Sequence, residues 1–438
     1  MSRNFKIFRF WRAYYAGVIQ AMYRDDPGLA EAPYQAQMAA FFATRSSYSD
    51  SFSAAMTPLG HEVIEVVSDL EPAQKAWARE NGVPYDTRSW ERDILLAQIA
   101  HMKPDIVYLH SLVSTPPGIA AEIRANLPGT ASVVAYGATR TPVENARGVD
   151  LLIVGLPNMV ALFREAGVET HLVYHGFDTN ILDQLEPGAG APDLGFTFIG
   201  SSGFGHSANF VTRYWTLVEL MIKTELTAWV NDSLDDMPHV RDTDFSAPDA
   251  MLPMLFKRFR DGGPLDDLKA TIAKMVSSTP MEPKAVGEYS GMVIPKGMDA
   301  DMLFHLPMIP LGFLMPERCR APVFGLAMFD LLRRSDLTFN AHADVNAGES
   351  ANMRLFEATG VGTCLLTDHG SNIADLFELD AEIVTYGSPG ECIEKAEYLL
   401  AHGEERKAIA VAGRKRTLET HTTAHRCAEI DALLQQMR

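Results

Sequence analysis

Two glutamates eight residues apart, Glu349 and Glu357, are the residues of this 438-residue chain whose type and spacing best suggest chemistry. They bracket the start of a predicted helix whose apolar positions include Leu355 and Phe356. A carboxylate accepts hydrogen bonds from two neighbouring hydroxyls, which a ribose or a hexose can supply. The free N–H groups at a helix N-terminus favour a diphosphate. The pair is therefore suited to a sugar nucleotide.

The same two glutamates also have a purely structural interpretation. Glu349 can stabilise the positive end of the helix, and Glu357 can pair with Arg354 one turn earlier. Short motifs recur by chance, and this chain is rich in glutamate. The spacing alone therefore leaves both interpretations open.

The elements around the glutamates alternate between strands and helices. We predict a strand at 337–341, then a helix that Ser350 or Glu349 caps and Gly360 ends, and then a buried strand at 363–367. Loops that follow parallel strands lie at the edge of the sheet where open α/β folds bind ligands. The two glutamates should therefore lie at such an edge.

Short runs rich in Val, Ile and aromatic residues recur along the chain, and helix-length intervals separate many of them. This pattern is typical of parallel sheets covered by helices. The first series of predicted strands comprises 6–11, 61–68, 105–110, 132–136, 151–154 and 170–174. The second series comprises 196–200, 227–231, 337–341, 363–367 and 382–386.

A stretch rich in Pro and Gly at 187–193 separates the two series and is the clearest linker. We therefore predict an α/β fold with two Rossmann-like domains, at 1–186 and 194–420, whose parallel sheets face a central cleft. A segment rich in Asp, Pro and Met interrupts the second domain at about 232–322. This insertion is a structural decoration, a lid or an oligomer contact, and the last of these would make a homodimer.

Composition limits the partners of the chain. It carries 38 Lys and Arg against 56 Asp and Glu, which gives a formal net charge of −18. Nucleic acids and anionic membranes attract basic patches, so non-specific binding to either is disfavoured. The four cysteines lack CxxC or His spacing, which favours a reducing cytoplasm over a disulfide framework or a zinc site. We find no transmembrane segment and no good signal peptide.

The last hundred residues resemble the C-terminal domain of the group 1 glycosyltransferases, and more narrowly the branch related to spore-coat maturation proteins. The resemblance rests on NMRLFEA at 352–358, LLTD at 365–368, IVTY at 383–386, AGRKR at 412–416 and HTTAHR at 421–426. It implies the GT-B fold, in which two Rossmann-like domains flank a cleft and the second domain holds a nucleotide-sugar donor. It also implies a final helix, here within 421–438, that braces the first domain.

The resemblance also implies roles for particular residues. The first glutamate of a Glu-x7-Glu pair lies near the donor sugar and the second near the ribose, so Glu349 is a catalytic candidate and Glu357 a ribose ligand. A loop after the first strand of the second domain touches the diphosphate, although we recognise no Arg/Lys pair for it. The further donor-binding candidates are Gly200, Ser201, His206, His342, Asn346, Ser350, Asn352 and Arg354.

Loops of the first domain should meet the acceptor. Asp50 and His110 have the chemistry of a general base for an acceptor hydroxyl, although for His110 a structural role is favoured over that of a base. A retaining mechanism needs neither, because the leaving phosphate can take the proton. Asp344 and Asp368 invite a metal site, but no DxD pair lies near a strand end, and we predict no metal.

We therefore expect a cytoplasmic hexosyltransferase, retaining and independent of metal ions. It would use a nucleotide diphosphate sugar, without any further cofactor, and a hydroxyl of a glycan, protein or lipid-linked acceptor in glycan synthesis. An epimerase or a phosphorylase can use the same fold, and a non-catalytic nucleotide-sugar-binding partner of a glycosylation complex is a third alternative. The sequence does not specify the sugar, the base or the acceptor.

Overall fold

A computed structural model describes most of the chain, namely residues 3–13, 15–112, 118–126, 132–185, 192–203, 210–232 and 310–437. Most of the predicted linker at 187–193 lies outside the described residues. So does most of the predicted insertion at 232–322, and so does His206. The fold and the site below are built from the described residues.

Six parallel strands form the sheet of the N-terminal half. They are β1 (Lys6–Trp11), β2 (Glu62–Val67), β3 (Ile106–His110), β4 (Ser132–Gly137), β5 (Leu151–Val154) and β6 (Thr170–Leu172). Their spatial order is β2-β1-β3-β4-β5-β6. The four central strands are buried along nearly their whole length, as expected for a parallel sheet covered by helices on both faces.

One to three helices separate most of the consecutive strands of this half. The helices of this half are α1 (Ala16–Asp25), α2 (Tyr34–Ala43), α3 (Ser51–Met56), α4 (Glu71–Glu80), α5 (Trp90–Met102), α6 (Ile119–Asn126), α7 (Pro157–Glu165) and α8 (Asn180–Gln184). Pro157 at the first position of α7 has a fixed backbone angle that suits a helix start. The next residue, Asn158, therefore presents its backbone N–H at the open end of that helix.

Six parallel strands also form the sheet of the C-terminal half. They are β7 (Phe196–Ile199), β8 (Thr227–Trp229), β9 (Cys319–Arg320), β10 (Leu337–Asn340), β11 (Cys364–Asp368) and β12 (Val384–Tyr386). Their spatial order is β12-β11-β10-β7-β8-β9. The two predicted series of parallel strands are therefore confirmed. No apolar run predicted β9, which pairs with β8 although it lies within the segment assigned to the insertion.

The helices of the C-terminal half, apart from the last of them, flank this second sheet. They are α9 (Val211–Lys223), α10 (Leu311–Leu314), α11 (Gly325–Arg334), α12 (Arg354–Val361), α13 (Pro389–Ala401), α14 (Gly403–Thr420) and α15 (Thr423–Gln436). The four cysteines of the chain are free thiols, and all of them are buried in these two halves.

The start of α12 differs from its prediction. The helix begins at Arg354 with Met353 as its N-cap, so neither Ser350 nor Glu349 caps it. The side-chain amide of Asn372 explains the delay, because it accepts from the N–H of Ser350 at 2.7 Å and donates to its carbonyl at 2.8 Å. These bonds hold the chain before Arg354 in a non-helical conformation.

The end of α12 also differs from its prediction. Gly362, with φ +90°, adopts the left-handed conformation that closes the helix, while Gly360 remains inside it. A Cβ added to Gly360 would lie 2.5 Å from the ring of Phe177. Gly360 is therefore required by close packing between the helix and a neighbouring segment, and not by a turn.

The chain passes between the two halves twice, and the two passages run side by side. Phe177, after β6, donates its N–H to the carbonyl of His421 at 2.8 Å and accepts from the N–H of Thr423 at 2.9 Å. Thr422 then begins α15 through a capping box with His425. The helix α15 packs on the first sheet, where its buried residues join the core of the first half: Cys427, Ile430 and Leu434 pack with Ile7, Tyr108 and Val134.

Candidate functional site

Residues 341–353, which we call the cleft loop, connect β10 to α12 at the carboxyl edge of the second sheet. Asn340 fixes the start of this loop, because its side-chain amide donates to Thr367 Oγ1 on β11 at 2.9 Å. The amide of Asn352 in turn donates to Asn340 Oδ1 at 2.7 Å. Asn352, predicted to bind the donor, therefore fixes the shape of the loop.

His342 pairs with the carboxylate at the end of the neighbouring strand. Its Nδ1 lies 2.7 Å from Asp368 Oδ1, and its backbone N–H donates to the same oxygen at 3.0 Å. Burial would raise the pKa of Asp368, but the charge and hydrogen bonds of His342 outweigh it and hold this pKa below its ordinary value. The ionised carboxylate thus orients the imidazole. His342 Nε2 is buried and has no hydrogen-bond partner among the described residues.

Two further residues of the cleft loop share this property. Asn346 Oδ1 and Ser350 Oγ are buried and make no hydrogen bond with any part of the chain that the structure describes. A buried polar atom without a partner costs about 1–3 kcal/mol. Three such atoms in one loop are a feature of a binding site more than of a structural turn.

Glu357 lies on α12 and forms a buried ion pair. Its Oε2 is 3.0 Å from Arg354 Nη1, and Arg354 Nη2 donates to the carbonyl of Ile199 at 3.0 Å. Burial raises the pKa of Glu357, and the nearby guanidinium acts in the opposite direction. The structural pairing proposed from the sequence therefore exists, and Glu357 still lines a cavity at the cleft.

Glu349 caps a helix, but that helix belongs to the first half of the chain. Both of its carboxylate oxygens lie 3.0 Å from the backbone nitrogen of Asn158, in the first turn of α7. The side chain of Asn158 in turn donates to the carbonyl of Asn346 at 3.3 Å. The cleft loop is thus tied directly to the opposite domain.

The loop after β7 carries the predicted Gly200 and Ser201. Gly200 donates its N–H to the carbonyl of Trp229 at 3.1 Å, so this amide belongs to the sheet. Arg213 in α9, which the sequence analysis missed, donates from Nη1 to the carbonyl of Ser201 at 3.2 Å and from Nε to that of Ala341 at 3.1 Å. This guanidinium therefore bridges the glycine loop and the cleft loop. Arg213 could have been predicted from the sequence, because it lies in the first turn of the helix that follows a glycine-rich loop.

Asp344 has a capping role as well. Its Oδ2 accepts from the N–H of Thr212, in the first turn of α9, at 3.2 Å. Asp368 meanwhile accepts from His342. Within the described ranges, no group of three or more His, Cys, Asp or Glu side chains is arranged to hold a metal ion.

A cavity of about 80 Å³ lies where the first sheet, the two chain passages and α12 meet. His110, at the end of β3, lines this cavity and stacks on Tyr136, with ring centroids 4.8 Å apart and planes within 10°. Burial, the charge of Arg9 and the nearby His175 hold the pKa of His110 well below its ordinary value, so its imidazole is neutral. Neither of its ring nitrogens has a partner among the described residues.

Asp50, the other candidate base, does not line this cavity. Its carboxylate contacts the guanidinium of Arg45 and the hydroxyl of Ser49. These local partners give Asp50 a structural role at the start of α3. Of these two predicted bases, His110 is therefore the one that lines the cavity.

Comparisons with known proteins bear mainly on the fold. A family model described as glycosyl transferase-like matches residues 311–432, which include the cleft loop and α12. No protein of curated function matches the chain. Similar solved structures include a glycosyltransferase from Rickettsia africae ESF-5, with 10% identity, a TM-score of 0.52 and coverage of 100% of both chains.

Two further similar structures cover nearly all of this chain. Sucrose-phosphate synthase from Thermosynechococcus elongatus shows 10% identity and a TM-score of 0.50, with 99% of both chains covered. Anabaena Alr3699/HepE in complex with UDP-glucose shows 12% identity and a TM-score of 0.50, covering 99% of this chain and 100% of that one. At these identities the likeness concerns the fold, and the chain has the GT-B fold. In the described part of the chain, no helix is long and apolar enough to cross a membrane.

Proposed function

We propose that this protein is a glycosyltransferase that moves a hexose from a nucleotide diphosphate sugar to an acceptor hydroxyl. One observation carries the proposal. The cleft loop of a GT-B fold holds three buried polar atoms that lack partners among the described residues: His342 Nε2, Asn346 Oδ1 and Ser350 Oγ. They lie at the carboxyl edge of a parallel sheet, where such folds bind ligands.

The surroundings of the loop supply the charge that a donor diphosphate needs. Arg213 lies against the carbonyls of Ser201 and Ala341, and His342 is the next residue along the loop. Donors already in place where charge develops on a leaving group contribute strongly to catalysis. UDP is the first nucleotide to test, because the similar Anabaena protein was solved with UDP-glucose.

We assign the two glutamates according to the Glu-x7-Glu resemblance. Glu357 would accept hydroxyls of the ribose, and Glu349 would leave the N–H of Asn158 to reach the donor sugar. Transfer with retention would let the leaving diphosphate take the proton of the acceptor hydroxyl. The proposal places the protein in the branch related to spore-coat maturation proteins. We further propose that the protein needs no metal ion, that it lies in the cytoplasm, and that its acceptor is a glycan, a protein or a lipid-linked molecule.

A thermal-shift panel of nucleoside diphosphates and nucleotide sugars tests the donor site. A ligand that binds only the folded chain raises its melting temperature. We expect one diphosphate series to stabilise the wild type and to stabilise Glu357→Gln less. Glu397→Gln, an exposed change on α13, should respond as the wild type does. A wild-type protein that no nucleotide stabilises would contradict the proposed function.

Product analysis then separates transfer from the alternatives. A transferase releases the nucleoside diphosphate and adds the sugar to an acceptor. An epimerase converts the nucleotide sugar into its isomer without any acceptor. A binding partner without catalytic activity would show the thermal shift and no turnover.

A further inference from the structure

The cavity beside His110, which we call the cleft cavity, has walls from both domains. The first domain contributes Arg9, Ser47, Tyr48, His110 and Tyr136, and α12 contributes Glu357. Four buried polar atoms of the cavity-lining residues have no partner among the described residues: Arg9 Nε, Ser47 Oγ and both ring nitrogens of His110. All four belong to the first domain, which by the proposed function faces the acceptor.

The charged side chains that line the cleft cavity are already compensated. Each has an opposite charge within 4 Å before any ligand binds, although Arg45 is shared between Asp178 and Asp50 and the side chain of Glu429 is 46% exposed. The pairs are Arg9 with Glu65 at 2.8 Å, Asp178 with Arg45 at 3.9 Å, Glu357 with Arg354 at 3.0 Å and Arg426 with Glu429 at 2.7 Å.

His110 supplies a neutral donor and a neutral acceptor. In the neutral imidazole one ring nitrogen carries a proton and the other a lone pair. A hydroxyl has the complementary pair of functions. The rings of Tyr48 and Tyr136 lie beside this imidazole, with centroids 3.9 and 4.8 Å from that of His110. These rings surround the imidazole with apolar surface, so the polar atoms of His110 are the hydrogen-bonding groups at this point of the cavity.

We infer that the cleft cavity receives an uncharged, hydroxyl-bearing end of the acceptor, and not a phosphorylated or carboxylated one. The inference rests on the proposed function. The cleft cavity has a volume of about 80 Å³, which is far below the roughly 300–1,000 Å³ of a site for a whole small molecule. The cavity therefore holds only a hydroxyl and the few atoms next to it. His110 positions that hydroxyl.

Stability provides the first test, and it needs no ligand. His110→Phe keeps a planar ring against Tyr136 but removes two buried polar atoms without partners. The melting temperature of the free protein should rise by about 2–4 °C. His61→Phe is the matched control, because His61 is equally buried and accepts from the N–H of Phe5 at 3.1 Å. That control should lower the melting temperature.

A second variant keeps this test decisive if His110→Phe folds poorly. Ser47→Ala removes a smaller polar atom that lines the same cavity, and its melting temperature should equal or exceed that of the wild type. If both variants destabilise the protein as His61→Phe does, these polar groups serve the fold, and the inference is overturned.

Binding of simple sugars provides the second test. Saturation-transfer NMR would compare D-glucose, D-galactose and D-mannose with their 6-phosphates on the wild type and on His110→Phe. We expect transfer to the neutral sugars from the wild type, and at least a fivefold weaker signal from the variant. A stronger response to the phosphates, or no transfer to the neutral sugars, overturns the inference.

The nucleotide panel separates the failure of this inference from that of the proposed function. If nucleotides stabilise both the wild type and His110→Phe while the neutral sugars fail to bind, only the inference about the acceptor is wrong. If no nucleotide stabilises the wild type, the proposed function fails as well.

Discussion

Two histidines lie at the carboxyl ends of strands in the two sheets, one at the end of β3 and one just after β10, and their surroundings differ. His342 donates to the carboxylate of Asp368, at 2.7 Å. His110 has no carboxylate partner among the described residues; it stacks on Tyr136, and its burial and the nearby charge of Arg9 lower its pKa and keep it neutral. The same architecture thus holds one imidazole beside an anion and the other without one. Under the proposed function, this difference suits an anionic donor on one side of the cleft and an uncharged acceptor on the other.

The largest expected effect follows from breaking the buried ion pair between Arg9 and Glu65 in the first domain. Arg9→Met would leave Glu65 buried without its ion pair, at a cost of about 3–5 kcal/mol in the free energy of unfolding. Urea unfolding would measure it. The double variant Arg9→Met/Glu65→Met removes both charges and should recover much of this loss. If the single and double variants were equally unstable, packing and not charge compensation would be the stabilising contribution of Arg9 and Glu65.

The next-largest effect distinguishes the two histidines, because only the surroundings of His342 should influence the affinity for a nucleotide. Asp368→Asn weakens the orientation of His342, so the affinity for the nucleotide found by thermal shift should fall about tenfold, or about 1.4 kcal/mol. Titration calorimetry would measure it, with Asp380→Asn, at an exposed position, as the control. His110→Phe should keep the wild-type affinity. A tenfold loss in His110→Phe as well would remove the distinction between the two sides.

The pH dependence of stability should differ between the sides. His110 has a lowered pKa in the folded protein, so the unfolded chain binds a proton first and stability falls as the pH drops below about 6.5. One such group changes the free energy of unfolding by at most about 1.4 kcal/mol per pH unit. His110→Phe should therefore flatten the curve between pH 6.5 and 5, while His175, whose pKa burial lowers to about 4, keeps the same trend in both proteins.

Asp368 titrates in a different window. Its pKa is lowered in the folded protein. Its contribution to the free energy of unfolding is therefore fully present above about pH 3.8, and it is lost as the pH falls through the pKa of the folded protein. The difference in unfolding free energy between the wild type and Asp368→Asn should stay constant above about pH 5 and shrink below pH 4. Urea unfolding at several pH values would check both windows. A difference that shrinks near pH 6 would contradict this assignment.

The smallest effect concerns the tie between the cleft loop and α7. Glu349→Ala removes a carboxylate from a helix N-terminus and should cost about 0.5–1 kcal/mol. Glu349→Gln keeps an oxygen for the N–H of Asn158 and should cost less. Urea unfolding measures both. If the two variants are equally destabilised, the charge and not the hydrogen bond makes this contact.

The sequence predicted the features that depend on local patterns. An apolar run such as 151–154 gives β5 directly, whereas β9 consists only of Cys319 and Arg320 and has no pattern to detect. The partner of Glu349 lies 191 residues earlier, so it depends on how the domains pack. The pairing of His342 with Asp368 requires knowing that β10 and β11 are neighbours. The sequence therefore predicted the types of side chain at the candidate site, but not which residues they contact.

The final helix has a consequence for synthesis on the ribosome. The core of the first domain includes Cys427, Ile430 and Leu434 of α15, and Gln435 exchanges hydrogen bonds with the backbone of Arg3, at 2.8 Å in both directions. A domain usually folds as soon as its own chain has emerged. Here the domain that emerges first lacks part of its core until α15 has been made. The first domain is therefore completed last, after the second domain has its whole sheet.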